Sequence, residues 1–215
     1  MFSCLKCSLL GIFFFFMFTL PVFSQRVKEK EETYIFRKGQ HHATRLMKNR
    51  YFKQVELFHW QTLLDSSARY QLRNADGTID VDQYDWSKLS GVTFSPLRTL
   101  RNTAMVGWRY NISKDSIELI PYFHVDGQRL FTDDPHLTIG INEPFEHEIH
   151  LNYSQKEITV LIKTKHGTMS QTHRFKQFRN WVVQIHPYFG GNKSAPRHIK
   201  VKVRLKTRKR LKSAR

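Results

Sequence analysis

From His198 to Lys206 the chain alternates without a break: Ile199, Val201, Val203 and Leu205 take one parity, and His198, Lys200, Lys202, Arg204 and Lys206 take the other. Strict alternation over nine residues specifies a strand with one face on a core and one on solvent. The same period governs other segments. Phe145, His147, Ile149, Leu151 and Tyr153 alternate with Glu146, Glu148, His150 and Asn152, and Ile158, Val160 and Ile162 alternate with Thr159, Leu161 and Lys163. Thr103–Ile112 and Ser116–Val125 are two apolar runs separated by Ser-Lys-Asp, a hairpin-length connection. Asp126-Gly127 then marks a tight turn into Gln128–Thr132. Shorter strand signals lie at Thr33–Lys38, Gly91–Phe94 and Asn180–Phe189. Turn signals recur every 8–15 residues or so, the spacing of an antiparallel sandwich or barrel.

Helical periodicity is scarce: His41–Arg50 has room for two or three turns, and Asp80–Leu89 for a short helix or an ordered loop. No strand–helix–strand rhythm appears, which excludes a parallel α/β fold. The expectation is an all-β, antiparallel two-sheet sandwich of jelly-roll type with one or two short helices. Terminal strands lie side by side in many such folds, which would join the basic N-terminal segment to the basic last strand.

The extreme N-terminus is different. Lys6 precedes an apolar stretch from about Ser8 to Val22, and Ser24 follows with Val22 two positions before it. These are the parts of a cleaved export signal, with cleavage expected before Gln25. The expected organisation is a leader over 1–24, one domain over 25–206 and a basic tail over 207–215. Cys4 and Cys7 both fall in the leader, so the exported chain has neither a disulfide nor a cysteine-based zinc site.

The 215 residues carry a net charge of +17, and its distribution decides what it means. Residues 26–56 hold nine Lys or Arg against four Glu; residues 57–199 hold sixteen against fourteen acids; residues 200–215 hold nine and no acid. The middle is near neutral and the ends are basic. Basic ends bind polyanions through salt-sensitive contacts, and Lys200, Lys202, Arg204, Arg208, Lys209 and Arg210 are the candidates. Lys200, Lys202 and Arg204 would line one strand face about 7 Å apart. For an exported chain the partner would be an anionic glycan, lipopolysaccharide or a membrane surface touched by the tail, rather than nucleic acid. The plainer reading is a solvated tail.

Catalytic and metal motifs are weak. Asn74–Asp80 (NADGTID) resembles the middle of a calcium loop, but its register puts Leu72 and Gln83 where carboxylates are required. A looser site from Asp76, Asp80, Asp82 and Asp85 and an acidic solvated loop both remain open. Glu146 and Glu148 would project together about 7 Å apart, the spacing of a glycosidase pair, yet they share the face opposite the apolar one. No histidine cluster has zinc spacing, and neither a serine elbow nor a phosphate-binding glycine loop is present. No metal or cofactor is expected. Arg109 and Glu118 face each other across the expected hairpin, either as a buried ion pair or, with Trp108, as part of a sugar platform.

His186–Pro196 (HPYFGGNKSAP), together with Gly107-Trp108-Arg109 and Tyr34–His41 (YIFRKGQH), resembles a group of exported Bacteroidetes proteins over nearly the whole chain after the leader. That group is similar to the concanavalin-A-like lectin and glucanase jelly roll. The resemblance implies a concave sheet able to hold a polysaccharide. Gln184-Ile185-His186 and Tyr188-Phe189-Gly190 also echo two motifs of alginate-type lyases, which lie far apart in those enzymes and are contiguous here. The reading is a carbohydrate-binding protein for an anionic glycan, with Trp108, Arg109, Tyr122, Tyr188 and Asn192 as contacts. The alternatives are a uronate lyase in which Arg109 and Asn192 neutralise the carboxylate and Tyr188 or His186 moves the proton, and an envelope structural protein with a basic tail.

Overall fold

The structure is a computed structural model and describes residues 31–43, 50–97 and 100–210. The strands among the described residues are β1 (Glu31–Phe36), β2 (Arg50–Lys53), β3 (Val55–Leu64), β4 (Ser87–Lys88), β5 (Gly91–Thr93), β6 (Thr103–Asn111), β7 (Ser116–Val125), β8 (Gln128–Leu130), β9 (Leu137–Gly140), β10 (Phe145–Asn152), β11 (Glu157–Thr164), β12 (Gly167–Arg174), β13 (Trp181–Ile185) and β14 (Ile199–Arg210). All their pairings are antiparallel. One sheet runs β1-β14-β3-β10-β11-β12; the other runs β2-β13-β5-β6-β7-β8, with β4 on β6 and β9 on β7. The expected two-sheet antiparallel sandwich of jelly-roll type is therefore what the chain forms. Among the described residues, helical structure is confined to single 3-10 turns at Ser66–Ala68 and Val81–Tyr84, the second within the segment expected to be a helix or ordered loop. Of the other expected helix, His41–Arg50, residues 44–49 lie outside the described residues, and its described ends are corrected to extended structure: His42 and Ala43 make bridges to Tyr188 and Phe36, and Arg50 begins β2.

Burial on alternate residues builds the core. Tyr34 and Phe36 of β1, Phe58 and Trp60 of β3, Ile149 and Leu151 of β10, Ile158, Val160 and Ile162 of β11 and Val201 and Val203 of β14 face Ala104, Val106 and Trp108 of β6 and Ile117, Leu119 and Phe123 of β7. Burial of these large apolar side chains is chiefly what holds the two sheets together, at about 1.5–3 kcal/mol each relative to exposure. The β6–β7 hairpin pairs Thr103 with His124 through to Asn111 with Ser116. The chain then turns at Asp126-Gly127, where both residues have positive φ (53° and 90°) as a type I′ turn requires.

The first and last strands of the described residues lie side by side as expected: β1 pairs β14 along its whole length, from Glu31 opposite Arg204 to Phe36 opposite Ile199. The expected boundary at Lys206 is corrected. β14 runs on to Arg210, and its pairing with β3 shifts between Leu205 and Thr207, so Lys206 is the extra residue of a β-bulge. A bulge reverses side-chain parity. Arg208 consequently turns toward the core side, its guanidinium 4.5 Å from the centre of the Phe52 ring. Ending the chain at Lys206 would remove the Thr207–Arg210 pairing and uncover Phe52. The expected result is a lower melting temperature, by a few degrees in a scanning melt; an unchanged melt would show that this stretch contributes nothing to folding.

Candidate functional site

The outer face of the β6–β7 sheet carries a second, smaller apolar cluster of Trp86, Met105, Ile120 and Tyr122, with Phe131 and Ile185 packed against it. Beside that cluster opens a cleft of about 860 Å³. Met105, Tyr122, His124 and Ile185 come from β6, β7 and β13, Arg129 from β8, and Lys88 from β4. The far wall is the segment His186–Asn192 with His42.

Local hydrogen bonding explains why the Tyr188-Phe189-Gly190-Gly191-Asn192 sequence forms that wall. Lys88 and Tyr188 exchange both backbone hydrogen bonds, the Lys88 amide donating at 2.7 Å and the Tyr188 amide at 2.9 Å. The Phe189 amide donates to the His41 carbonyl at 2.8 Å, and its ring is buried in the main core. Extended alternation then turns Tyr188 outward. Gly190 sits at φ +67°, where a side chain would strike the Lys193 carbonyl, and its amide donates to Ser87 Oγ at 2.8 Å.

Lys88 is the unusual group. Only 8% of it is exposed, and no carboxylate of the described residues lies within ion-pairing distance. Its ammonium donates to the Gly190 carbonyl at 3.2 Å and lies 5.1 Å and 5.7 Å from the centres of the Tyr122 and Tyr188 rings. Burial pushes its pKa down to about 8, against the attraction of Asp85 and with the repulsion of Arg129. Burial, then the charges of Lys88 and Arg129, push His124 down to about 4, so its ring is neutral. His124 Nδ1 is buried without a hydrogen-bond partner. Tyr122 and Tyr188 are both shifted upward, chiefly by burial.

Of the expected carbohydrate contacts, Tyr122, Tyr188 and Asn192 line this cleft. Neither tyrosine is an open platform. Tyr188 stacks on His41 at 5.3 Å with His42 at its edge, and Tyr122 stacks on Phe131 at 5.1 Å. Trp108 is corrected outright: it is wholly buried on the core face, edge-on to Tyr70 and Phe189. Arg109 is on the outer face but outside the cleft, with its donors committed. Its Nε donates to Glu118 Oε2 at 2.7 Å and its Nη1 to Asp133 and the Tyr84 carbonyl at 3.2 Å, while its guanidinium rests 4.1 Å above the Trp86 ring. The ion-pair alternative is the one realised. Burial pushes the Glu118 carboxyl up, but hydrogen bonds from Asn111 and Arg109 outweigh it and hold the group below its ordinary value. Arg109→Ala would take the 2.7 Å guanidinium partner from that carboxylate while Asn111 at 2.6 Å and His136 at 3.2 Å remain, and a loss of about 2 kcal/mol is expected from denaturant unfolding; an unchanged midpoint would overturn this account.

The polyanion candidates divide. Arg204 pairs with Glu31 at 3.1 Å, and the bulge residue Lys206 reaches Glu146 at 3.6 Å, so the outer face of the β14 sheet is mixed rather than uniformly basic. Lys200, Lys202, Lys209 and Arg210 are exposed or half-buried on that strand, and Arg208 covers Phe52. Glu146 is held by His59 at 3.0 Å, and Glu148 by Lys163 and His150 at 2.7 Å each, which spends both members of the glycosidase-like pair. Asp76 accepts from the Thr78 amide, and Asp80 caps the Val81–Tyr84 turn and pairs with Lys193 at 3.0 Å. Among the described residues no three His, Cys, Asp or Glu side chains are placed to hold a metal ion. Gln184 of the lyase-like echo is buried and does not line the cleft, whereas His186 does. Lys88, His124 and Arg129 were not singled out by the sequence, where each is an isolated residue without a motif.

No protein-family model matches the chain, and no curated protein matches it in sequence. Solved structures similar to it include peanut lectin bound to a nonapeptide (TM-score 0.42, 8% identity, 86% of this chain and 100% of that one). A family 7 alginate lyase in complex with substrate gives 0.38 at 8% identity, over 77% of this chain and 64% of the other. A Bauhinia forficata lectin in complex with GalNAc gives 0.35 at 9%, over 85% and 99%. Identities this low carry no residue role across.

Proposed function

We propose that the protein binds an anionic saccharide in the cleft over β6, β7 and β13, with Lys88 and Arg129 meeting its carboxylate or sulfate. The observation that carries the reading is the pair of cations in one cleft, one of them buried, with no carboxylate of the described residues ion-paired to either. A buried charge is costly unless it is paired, and a ligand anion supplies the missing partner. Half-buried Ile185 and the edge of Tyr188 offer contact surface for the carbon face of a pyranose, with Met105 and Tyr122 packed beneath them. The upward shift of the Tyr188 hydroxyl works against its use as a base, so the lyase alternative gains no support from the site. Export of the chain, with cleavage before Gln25, belongs to the same proposal; that segment lies outside the described residues.

The test is binding of the full chain to matched uronate, sulfated and neutral oligosaccharides at low and high salt. Preference for the acidic members that survives high salt supports a built site. Equal binding of neutral and acidic sugars, or binding that vanishes with salt, would assign the contact to surface charge and overturn the reading.

A further inference from the structure

We propose that Lys88 is a nucleophilic amine that captures the carbonyl carbon of an aldehyde bearing a carboxylate, such as the open-chain form of a uronate, as a reversible imine within the cleft. The ligand class rests on the anionic-saccharide reading; the covalent step goes beyond it.

Three groups on different strands converge on the same space. Lys88 on β4 points its amine into the cleft from a buried position, held by the Gly190 carbonyl rather than by a carboxylate. His124 on β7 is buried beside it, with Nδ1 unpartnered. Arg129 on β8 is the register partner of His124 and brings a cation to the same wall. Lysines become nucleophiles when burial or a neighbouring cation disfavours the ammonium form, and both conditions hold here. A pKa of about 8 leaves an appreciable fraction of free amine at neutral pH, where an exposed lysine has almost none.

The step balances without a co-reactant. The amine lone pair forms a C–N bond to the carbonyl carbon as the C=O π bond breaks, and the oxygen takes the first of the two amine hydrogens to give the carbinolamine. Neutral His124 accepts a proton from the nitrogen and returns it to the departing hydroxyl. Water leaves with the carbonyl oxygen and both amine hydrogens, and a C=N bond remains. Arg129 would hold the carboxylate. Asp85 opposes the loss of the ammonium proton and His42, His186 and Tyr188 face the same volume, so these groups also bear on the pH profile.

The experiment treats the full chain with glyoxylate and borohydride and maps carboxymethylated lysines by mass spectrometry. The expected result is labelling of Lys88 ahead of exposed Lys38, Lys114 and Lys176, with a rate that rises through pH 7 and levels above about 8. Labelling spread over the exposed lysines with Lys88 spared would overturn the proposal. Lys88→Arg should retain the charge and lose the label, and His124→Phe should label Lys88 several-fold more slowly; an unslowed rate removes His124 from the step. A uronate oligosaccharide reduced to the alditol separates the two readings. If it binds while Lys88 stays unlabelled, only the imine fails. If Lys88 is labelled and the alditol does not bind, only the saccharide reading fails.

Discussion

Lys88→Met should raise the melting temperature at pH 7 while lowering affinity for a uronate oligosaccharide at least tenfold. Opposite changes in one variant follow from the position of the ammonium. In the folded chain its pKa is about 8, against 10.5 for an ordinary lysine. Between these values the unfolded chain holds more protons than the folded one, so stability climbs as pH rises from 8 to 10.5. Below 8 the cost of burying the ammonium is present in full. Methionine fills a similar volume without that cost, so its advantage is largest at neutral pH and fades toward pH 10.5. Binding moves the other way, because a hydrogen bond to a charged group is worth roughly 1.5–3 kcal/mol, about ten- to a hundred-fold in affinity. Melts at pH 7 and 10.5 beside a calorimetric titration would check both halves. A variant that melts lower at both pH values would show that the ammonium stabilises the fold, and one that binds undiminished would remove Lys88 from the site.

The parts of this architecture readable from sequence are those where one face is wet and the other dry. β10, β11 and the first half of β14 alternate cleanly because their outer residues meet water. β3 is harder to see, since Leu57 and Leu63 sit among its outer positions and blur the period. β12 carries no core face of its own: its residues, Thr168, Ser170, Thr172 and Arg174 among them, are polar or only half-buried, and it is defined by its register with β11 rather than by side-chain pattern. The bulge at Lys206 breaks the period of β14 without ending the strand.

Burial on both faces is also why only Tyr122, Tyr188 and Asn192 of the expected contacts line the cleft. On β6 and β7 nearly every residue is buried, because the outer face has an apolar cluster of its own. With both faces dry, alternation cannot say which of Trp108 and Arg109 points outward. Cross-strand pairing of Arg109 with Glu118 was legible, since hairpin register follows from the connection length. The cleft itself arises from contacts about a hundred residues apart, Lys88 with Tyr188 and Gly190, and no local pattern announces them.

Acid should unfold this protein through its interior, and His147→Phe should blunt that response. His147 lies on the core face of β10, wholly buried, its ring stacked on Trp60 at 5.1 Å and tilted against Phe145 at 6.1 Å. Burial pushes its pKa down to about 3 from an ordinary 6.5, outweighing the Ser90 backbone contact that favours the charged ring. From pH 6.5 down to 3 the unfolded chain takes up a proton that the folded chain refuses. Stability is therefore complete above 6.5 and falls steadily through that window. At pH 5 the loss from this one ring is about 2 kcal/mol, or about 4–8 °C for a domain of this size. His124, held at about 4, adds a loss of nearly the same size and the same sign at pH 5, since both folded values lie below that pH. Phenylalanine keeps the stack on Trp60 and cannot titrate. Any cost of its extra bulk is the same at every pH, so the informative quantity is the drop in melting temperature between pH 7.5 and pH 5, which should shrink by those degrees. An unaltered drop in His147→Phe would mean that the acid transition starts elsewhere; His124→Phe, on the cleft rather than in the core, would then be the variant expected to shift it.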